Sequence, residues 1–190
     1  DELSYRRHHQ YVTVVVDHER GAVVWAREGK DAATLGAFLE ELGKERCGKL
    51  EAVTLDLSAA YIKAVTEASP AARLIFDRFH VQRLAHDALD QVRRQQWREA
   101  DPEQKAAIKG TRFALQKNPW NLTDVEHGKI ADVQRTNRPL YRGYLLKETL
   151  AKILDGRQVN VARDKLLEWT AWATRSRLPP FRRVARTIRK

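Results

Sequence analysis

Apolar positions along the chain alternate between strand-type and helical patterns. Residues 11–16 (YVTVVV) form a β-branched run. After DHERG, residues 22–26 (AVVWA) form a second one, so the two predict a β-hairpin. From Thr34 onward, Leu35, Phe38, Leu39 and Leu42 recur at helical spacing, with Gly43 and Gly48 bracketing the end. Residues 50–57 (LEAVTLDL) predict a short strand ending at Asp56. Ser58 is then a candidate N-cap for a helix that presents Tyr61, Val65 and Ala68 and stops at Pro70. Residues 72–76 (ARLIF) predict another strand, closing at Asp77. Beyond it, Val81, Leu84, Ala85, Ala88 and Val92 line one face of a long helix.

The order is therefore hairpin, helix, strand, helix, strand, helix. Two strands joined by a crossover helix lie parallel in one sheet, so a mixed α/β sheet flanked by helices is expected, with the hairpin as its antiparallel part. Functional groups in open α/β sheets collect beyond the carboxyl ends of the strands, where Asp56 and Asp77 both stand. After about residue 98 the strand signals stop and helical patterns dominate, broken by NPWNLT at residues 118–123 and by Gly156. Leu140, Tyr144 and Leu145 begin one such helical stretch, which runs to Leu154, and Pro179–Pro180 interrupts the tail. Two parts are expected: an α/β core over residues 1–97 with a truncated first strand, and a helical section with a basic tail over residues 98–190.

A chain of 190 residues, 43% hydrophobic and 32% charged, suits one folded domain or a domain with an appendage, and excludes disordered and fibrous classes. No apolar run reaches the roughly 20 residues of a membrane helix, and the polar start DELSYRRHHQ has no signal-peptide core. The single Cys47 allows neither an internal disulfide nor a thiolate zinc site, which fits a reducing cytoplasm. With no Met, the chain reads as a piece of a longer protein.

Charge adds a further signal, because the net +10 is concentrated at one end. Residues 157–190 hold ten basic residues against two acidic ones, a local excess of +8. Arg175, Arg177, Arg182, Arg183, Arg186, Arg189 and Lys190 make up most of it. Such an excess suits a polyanion, since neutralising phosphates releases condensed counterions. A solvated basic face, a membrane surface or an acidic protein are the alternatives.

Asp1 precedes the hairpin by about ten residues and fits a first strand that pairs with residues 11–16. In a ribonuclease H-like arrangement, an acid on the first strand faces an acid ending the fourth, here Asp1 and Asp56. Two close carboxylates can share Mg²⁺ or Mn²⁺, and a metal pair clamps the attacking and leaving oxygens of phosphoryl transfer. A lone Asp at a strand end is otherwise a capping or solvated carboxylate.

The stretches DELSYRRHHQYVTVVVD, VTLDLSAAYIKAV and IFDRFHVQRLAHDALDQVRR, in this order, closely resemble the DDE-type transposases of bacterial insertion sequences, of the ISL-three type. The likeness continues more weakly through FALQKNPWNLT, LYRGYLLKETL and FRRVARTIRK. It implies a ribonuclease H-like catalytic domain that cleaves and transfers DNA strands with Mg²⁺ or Mn²⁺, acting on element ends and target DNA. It also implies multimers on DNA, although no coiled-coil heptad supports them. By this resemblance Asp1 and Asp56 are the first two catalytic acids and metal ligands, and the Asp-x-x-His run of Asp77 and His80 supports the site. The latter pair reads equally as a helix cap and a packed imidazole. The family's third acid lies in an Asn-rich segment after a basic stretch like RRVARTIRK, so it is expected beyond Lys190, leaving this chain catalytically incomplete. Glu148 in LLKETL is the internal substitute, with the wrong helical phase and neighbours.

Weaker candidates remain. His8 and His9 beside Arg6 and Arg7 offer a DNA contact or an exposed turn. Trp97, Trp120, Trp169 and Trp172 offer base stacking, yet aromatics at helical spacing usually belong to a core. A DNA-binding remnant without chemistry is the main rival reading, and a structural partner of another protein is the third.

Overall fold

The hairpin expected from the two β-branched runs forms, and a further strand joins it. The computed structural model describes residues 2–6 and 10–189. Strands β1 (Glu2–Arg6), β2 (Gln10–Asp17) and β3 (Ala22–Glu28) make an antiparallel sheet with β2 in the middle. The register pairs Leu3 with Val12 and Val14 with Ala26. Asp17 shapes the β2–β3 turn, its Oδ1 accepting the backbone N–H groups of Glu19 and Arg20 at 2.9 and 3.1 Å.

Helix α1 (Ala32–Leu42), the single turn α2 (Lys44–Cys47), β4 (Ala52–Leu55), α3 (Ala59–Ala68) and β5 (Arg73–Phe76) follow. β4 and β5 pair in parallel, from Ala52↔Arg73 to Leu55↔Phe76, with α3 as the crossover. The single mixed sheet anticipated from the element order does not appear among the described residues. Among the described residues there are two sheets, one three-stranded and antiparallel, one two-stranded and parallel. The strands are short: β1 has five residues and its ladder to β2 shifts register between Ser4 and Arg6, while β4 and β5 have four residues each. Parallel ladders are weaker per residue than antiparallel ones, so strands this short gain little from a third partner.

Buried side chains link the two sheets instead. Thr13 of β2 is 1% exposed, and its hydroxyl donates to the carbonyl of Gly29 at 2.8 Å. That leaves the Thr13 oxygen to accept from the hydroxyl of Tyr61 on α3, also 2.8 Å away. Gly29 has φ +123°, and a Cβ there would come within 2.2 Å of Thr34 Oγ1. Only glycine fits this close approach. Asp31 caps α1 by accepting both the backbone N–H and the hydroxyl of Thr34, and these bonds hold its carboxyl below the usual range. Leu39, Cys47, Leu55 and Val65 complete this core, and the Cys47 thiol donates to the Leu39 carbonyl.

Contacts divide the chain into two compact units, Asp1–His80 and Val81–Lys190. The second is helical: α4 (Arg78–Glu99, with its first turn in the first unit), α5 (Pro102–Ile108), α6 (Arg112–Gln116), a 3₁₀ turn at Pro119–Asn121, α7 (Asp124–Thr136), α8 (Arg138–Leu154), α9 (Val159–Arg175) and α10 (Pro179–Arg189). Local chemistry sets the boundaries. Asp101 caps α5, Thr123 and Glu126 form a reciprocal capping box on α7, and Asn137 caps α8. Pro179 and Pro180 do not merely interrupt the tail. They occupy the first turn of α10, where a missing N–H costs nothing.

α8 lies at the centre of this unit. Leu140, Leu146 and Leu150 are fully buried, and Trp169 of α9 donates its indole N–H to the Leu146 carbonyl at 2.8 Å. Gly143 lets α8 approach closely: a Cβ there would meet Leu89 of α4 and Phe181 of α10 at 3.2 and 3.3 Å. Lys147 is buried on the same helix, its ammonium bonded to Glu148 and, at 3.1 Å, to the Lys117 carbonyl. Burial lowers the pKa of Lys147 against the opposing pull of Glu148. Burial, with the Lys147 charge adding to it, also lowers that of His86.

Tyr61→Phe removes the only donor that the Thr13 oxygen receives among these contacts, and should lower unfolding free energy in urea by about 1–2 kcal/mol. The His86 shift has a readable sign. Its folded pKa lies below the unfolded value of 6.5, so the unfolded chain binds the extra proton and stability falls as pH drops below about 6.5. The depressed carboxylates Asp31, Asp90 and Glu126 act only at lower pH, near and below their ordinary values. His86→Gln should therefore flatten the urea midpoint between about pH 6.5 and 5, whereas the unsubstituted chain declines across that window.

Candidate metal and nucleic-acid sites

The in-register parallel pair decides where the acids stand. Leu55 and Phe76 are partners, and the Asp77 N–H continues the ladder to the Leu55 carbonyl at 3.2 Å. Asp56 and Asp77 are the next residues on each strand, so they sit side by side at the carboxyl edge of the sheet, as their strand-end positions predicted. Neighbouring strands run roughly 4.8 Å apart, which sets the scale of this spacing.

Each carboxylate also builds its own turn. Asp56 is half-buried and its Oδ1 accepts the Ser58 N–H at 2.8 Å, so the acid shapes the entry to α3, while Ser58 makes no side-chain cap. Asp77 Oδ1 accepts the Phe79 N–H at 2.8 Å, and its Oδ2 lies 3.9 Å from His80 Nε2. The capping reading of Asp77 thus describes its geometry, whereas His80, with 37% of its side chain exposed, is not packed away.

The divalent ion that the resemblance implies requires hard oxygen donors. Asp56 fits, because its second oxygen makes no hydrogen bond or ion pair among the described residues. Asp77 adds a neighbouring carboxylate. Among the described residues, no three His, Cys, Asp or Glu side chains converge on one point. Asp1 lies outside the described residues, as do His8, His9 and Lys190.

The surroundings of Glu148 do not favour it as an internal third acid. It is 7% exposed and its carboxylate is tied to Lys147 within the helical core. The hydroxyl of nearby Tyr144 is pushed up to about 12 by burial and by the Glu148 charge.

The arginines of the tail are presented by α9 and α10. Phe181, Val184 and Ala185 bury one side of α10, and the helical period turns Arg182, Arg183, Arg186 and Arg189 outward, all exposed. Two are steadied by neighbours: Arg183 donates to Gln91 at 2.6 Å and Arg189 to the Thr170 hydroxyl at 3.1 Å. Arg175 and Arg177 are exposed in the preceding turn, where Arg177 adopts φ +61°. The tryptophans do not share one fate. Trp169 is core at 2% exposure, but Trp97 and Trp120 are 38% and 69% exposed, against the core reading of both.

With these arrangements described, comparison with known proteins identifies the class. The family described as Transposase, the ISL3 class of DDE enzymes, matches residues 1–190, and the chain belongs to it. Over the whole chain it is 40% identical to the transposase for insertion sequence element IS1557 of Mycobacterium tuberculosis, covering 48% of that protein. It is 28% identical to the transposase for insertion sequence element IS1001 of Bordetella parapertussis, again over the whole chain and 47% of the relative. The chain thus spans about half the length of these curated relatives. No solved structure matches it. Among the described residues, no helix is long and apolar enough to cross a membrane.

Proposed function

We propose that this chain is part of a DDE transposase catalytic domain that cleaves and transfers DNA strands during movement of an insertion sequence. The observation that carries this reading is that Asp56 and Asp77 each directly follow the matched ends of the parallel strands, Leu55 and Phe76, in a chain of this family. In this reading β1 to β5 belong to a ribonuclease H-like core, over residues 1–97, with residues 98–190 as a helical section. Asp1 and Asp56 hold Mg²⁺ or Mn²⁺, and the third acid comes from sequence beyond Lys190. When bound, the metal activates a water or 3′ hydroxyl and neutralises charge on the phosphodiester. Asp56 suits this work because its turn bond from the Ser58 N–H engages one oxygen and leaves the other to a metal. Asp77 and His80 support the site in this reading, the Asp77 carboxylate lying 3.9 Å from the imidazole. The outer faces of α9 and α10, with Lys190, hold the DNA backbone through Arg175, Arg177, Arg182, Arg183, Arg186 and Arg189. Homo-oligomers on DNA and a cytoplasmic location follow from the same reading.

A second reading, a DNA-binding module without chemistry, draws on the exposed arginines that α10 presents on one side. Strand cleavage by the full-length protein, lost in Asp56→Asn, separates the two.

Metal binding has a direct readout. Saturating Mn²⁺, at about a hundred times its dissociation constant, should stabilise the chain against urea by about 2–3 kcal/mol, and Asp56→Asn should lose most of that gain. An equal response in both proteins overturns the metal site. For the tail, replacing Arg182 and Arg186 together by Ala should weaken binding to duplexes of any sequence. It should also reduce the slope of log affinity against log salt by about 2, close to one per phosphate contact.

A further inference from the structure

The last two turns of α4 and the end of α5 border an open cleft of about 380 Å³ that the tail does not include. Its lining is chemically selective: Arg93, Arg94, Arg98 and Lys109 supply cations, Trp97 supplies an indole face, and Ile108 contributes an apolar surface. Helical phase explains the grouping. Residues 93, 94, 97 and 98 fall on one side of α4, whereas Gln95, Gln96 and Glu99 fall on the other, where both amides donate to the Glu99 carboxylate.

Asp90 organises the cationic wall. Its side chain is 11% exposed, and it receives Arg93 at 2.9 and 2.7 Å through one oxygen and Arg94 at 2.7 Å through the other. Two guanidiniums held by one carboxylate are oriented without being neutralised, and no acidic side chain lines the cleft beside Arg98 and Lys109. Trp97 keeps 38% of its surface open, unusual for a large aromatic on a helix whose opposite positions Val81, Ala88 and Val92 are buried.

We propose that this cleft binds an unpaired nucleotide of a DNA strand, the base stacking on Trp97 and the phosphates meeting the arginines and Lys109. Guanidinium forks match phosphate oxygens, and an indole accepts the face of any base. Within a duplex, stacking on the neighbouring pairs covers the base faces, so the cleft favours single strands over duplex. The proposal rests on the reading that the chain acts on DNA, and it adds a site and a strand state to it.

The test measures fluorescence anisotropy of a labelled oligothymidine and of a duplex of equal length, with the 1–190 chain at low and moderate salt. Trp97→Ala should weaken oligothymidine binding about ten-fold and change duplex binding less than about two-fold, while Trp97→Phe keeps most of the single-strand affinity. Lys109→Ala should lower the salt dependence for the single strand. Circular dichroism melting checks that each variant folds, and the Phe and Lys109 variants keep the test decisive if Trp97→Ala does not. Unchanged oligothymidine binding in Trp97→Ala overturns the cleft alone, provided the tail substitutions still weaken duplex binding. Equal losses for both DNA forms in folded Trp97→Ala also overturn it. If neither DNA form binds at low salt, the cleft and the reading it rests on both fall.

Discussion

The arrangement of the candidate site depends on one ladder, the in-register parallel pairing of β4 with β5. A parallel pair needs a crossover, and α3 supplies it, packing Tyr61 and Val65 inward. Because the two strands run the same way and end at matched residues, the acids that terminate them share an edge. An antiparallel pair would have sent Asp56 and Asp77 to opposite ends. A register slip would have staggered them along the strands and turned one side chain to the other face. With only four residues in each strand, the ladder depends on the helices around it. The Thr13–Tyr61 hydrogen bond ties the crossover helix to the antiparallel sheet.

The helical unit answers to a different constraint, close packing around α8. Gly143 brings α8 against α4 and α10, and α10 can then bury Phe181 while turning its arginines outward. The same packing encloses Lys147 and Glu148. A charged pair with so little solvent is weak evidence for stability, since desolvation opposes the attraction, but its additional bond to the Lys117 carbonyl sets the alignment of neighbouring segments. An acid held this way is unavailable to a metal. Asp90 shows the opposite use of a partly buried carboxylate: it lies at the margin of the core and spreads two guanidiniums toward a cleft.

Much of this was legible before any coordinates. The β-branched runs became β2 and β3, the helix carrying Leu35 to Leu42 became α1, and TLD and IFD closed adjacent strands. Three linked motifs pointed to the transposase family to which the chain belongs. Some features escaped the reading although their signs were local. Ser58 stands at the N-cap of α3 as expected, but its hydroxyl makes no capping bond, and the Asp two residues earlier accepts its N–H in a turn. The cationic cleft carried a readable sign in the RRQQWR run, because helical phase puts its arginines and tryptophan on one side and its glutamines on the other. The amphipathic face of α4 farther upstream, with its apolar spacing, drew attention away from it.

The sequence by itself determined the order and type of the elements, the helix caps, the concentration of charge at one end and the strand-end positions of Asp56 and Asp77. These are local properties, set by side-chain period, capping chemistry and composition over a few residues. Only the tertiary structure decided that the strands form two sheets, that Trp169 is core while Trp97 and Trp120 are not, and that Glu148 is enclosed with Lys147. Each of these outcomes depends on which distant groups exclude water from a side chain, and that follows from packing in three dimensions and not from spacing along the chain.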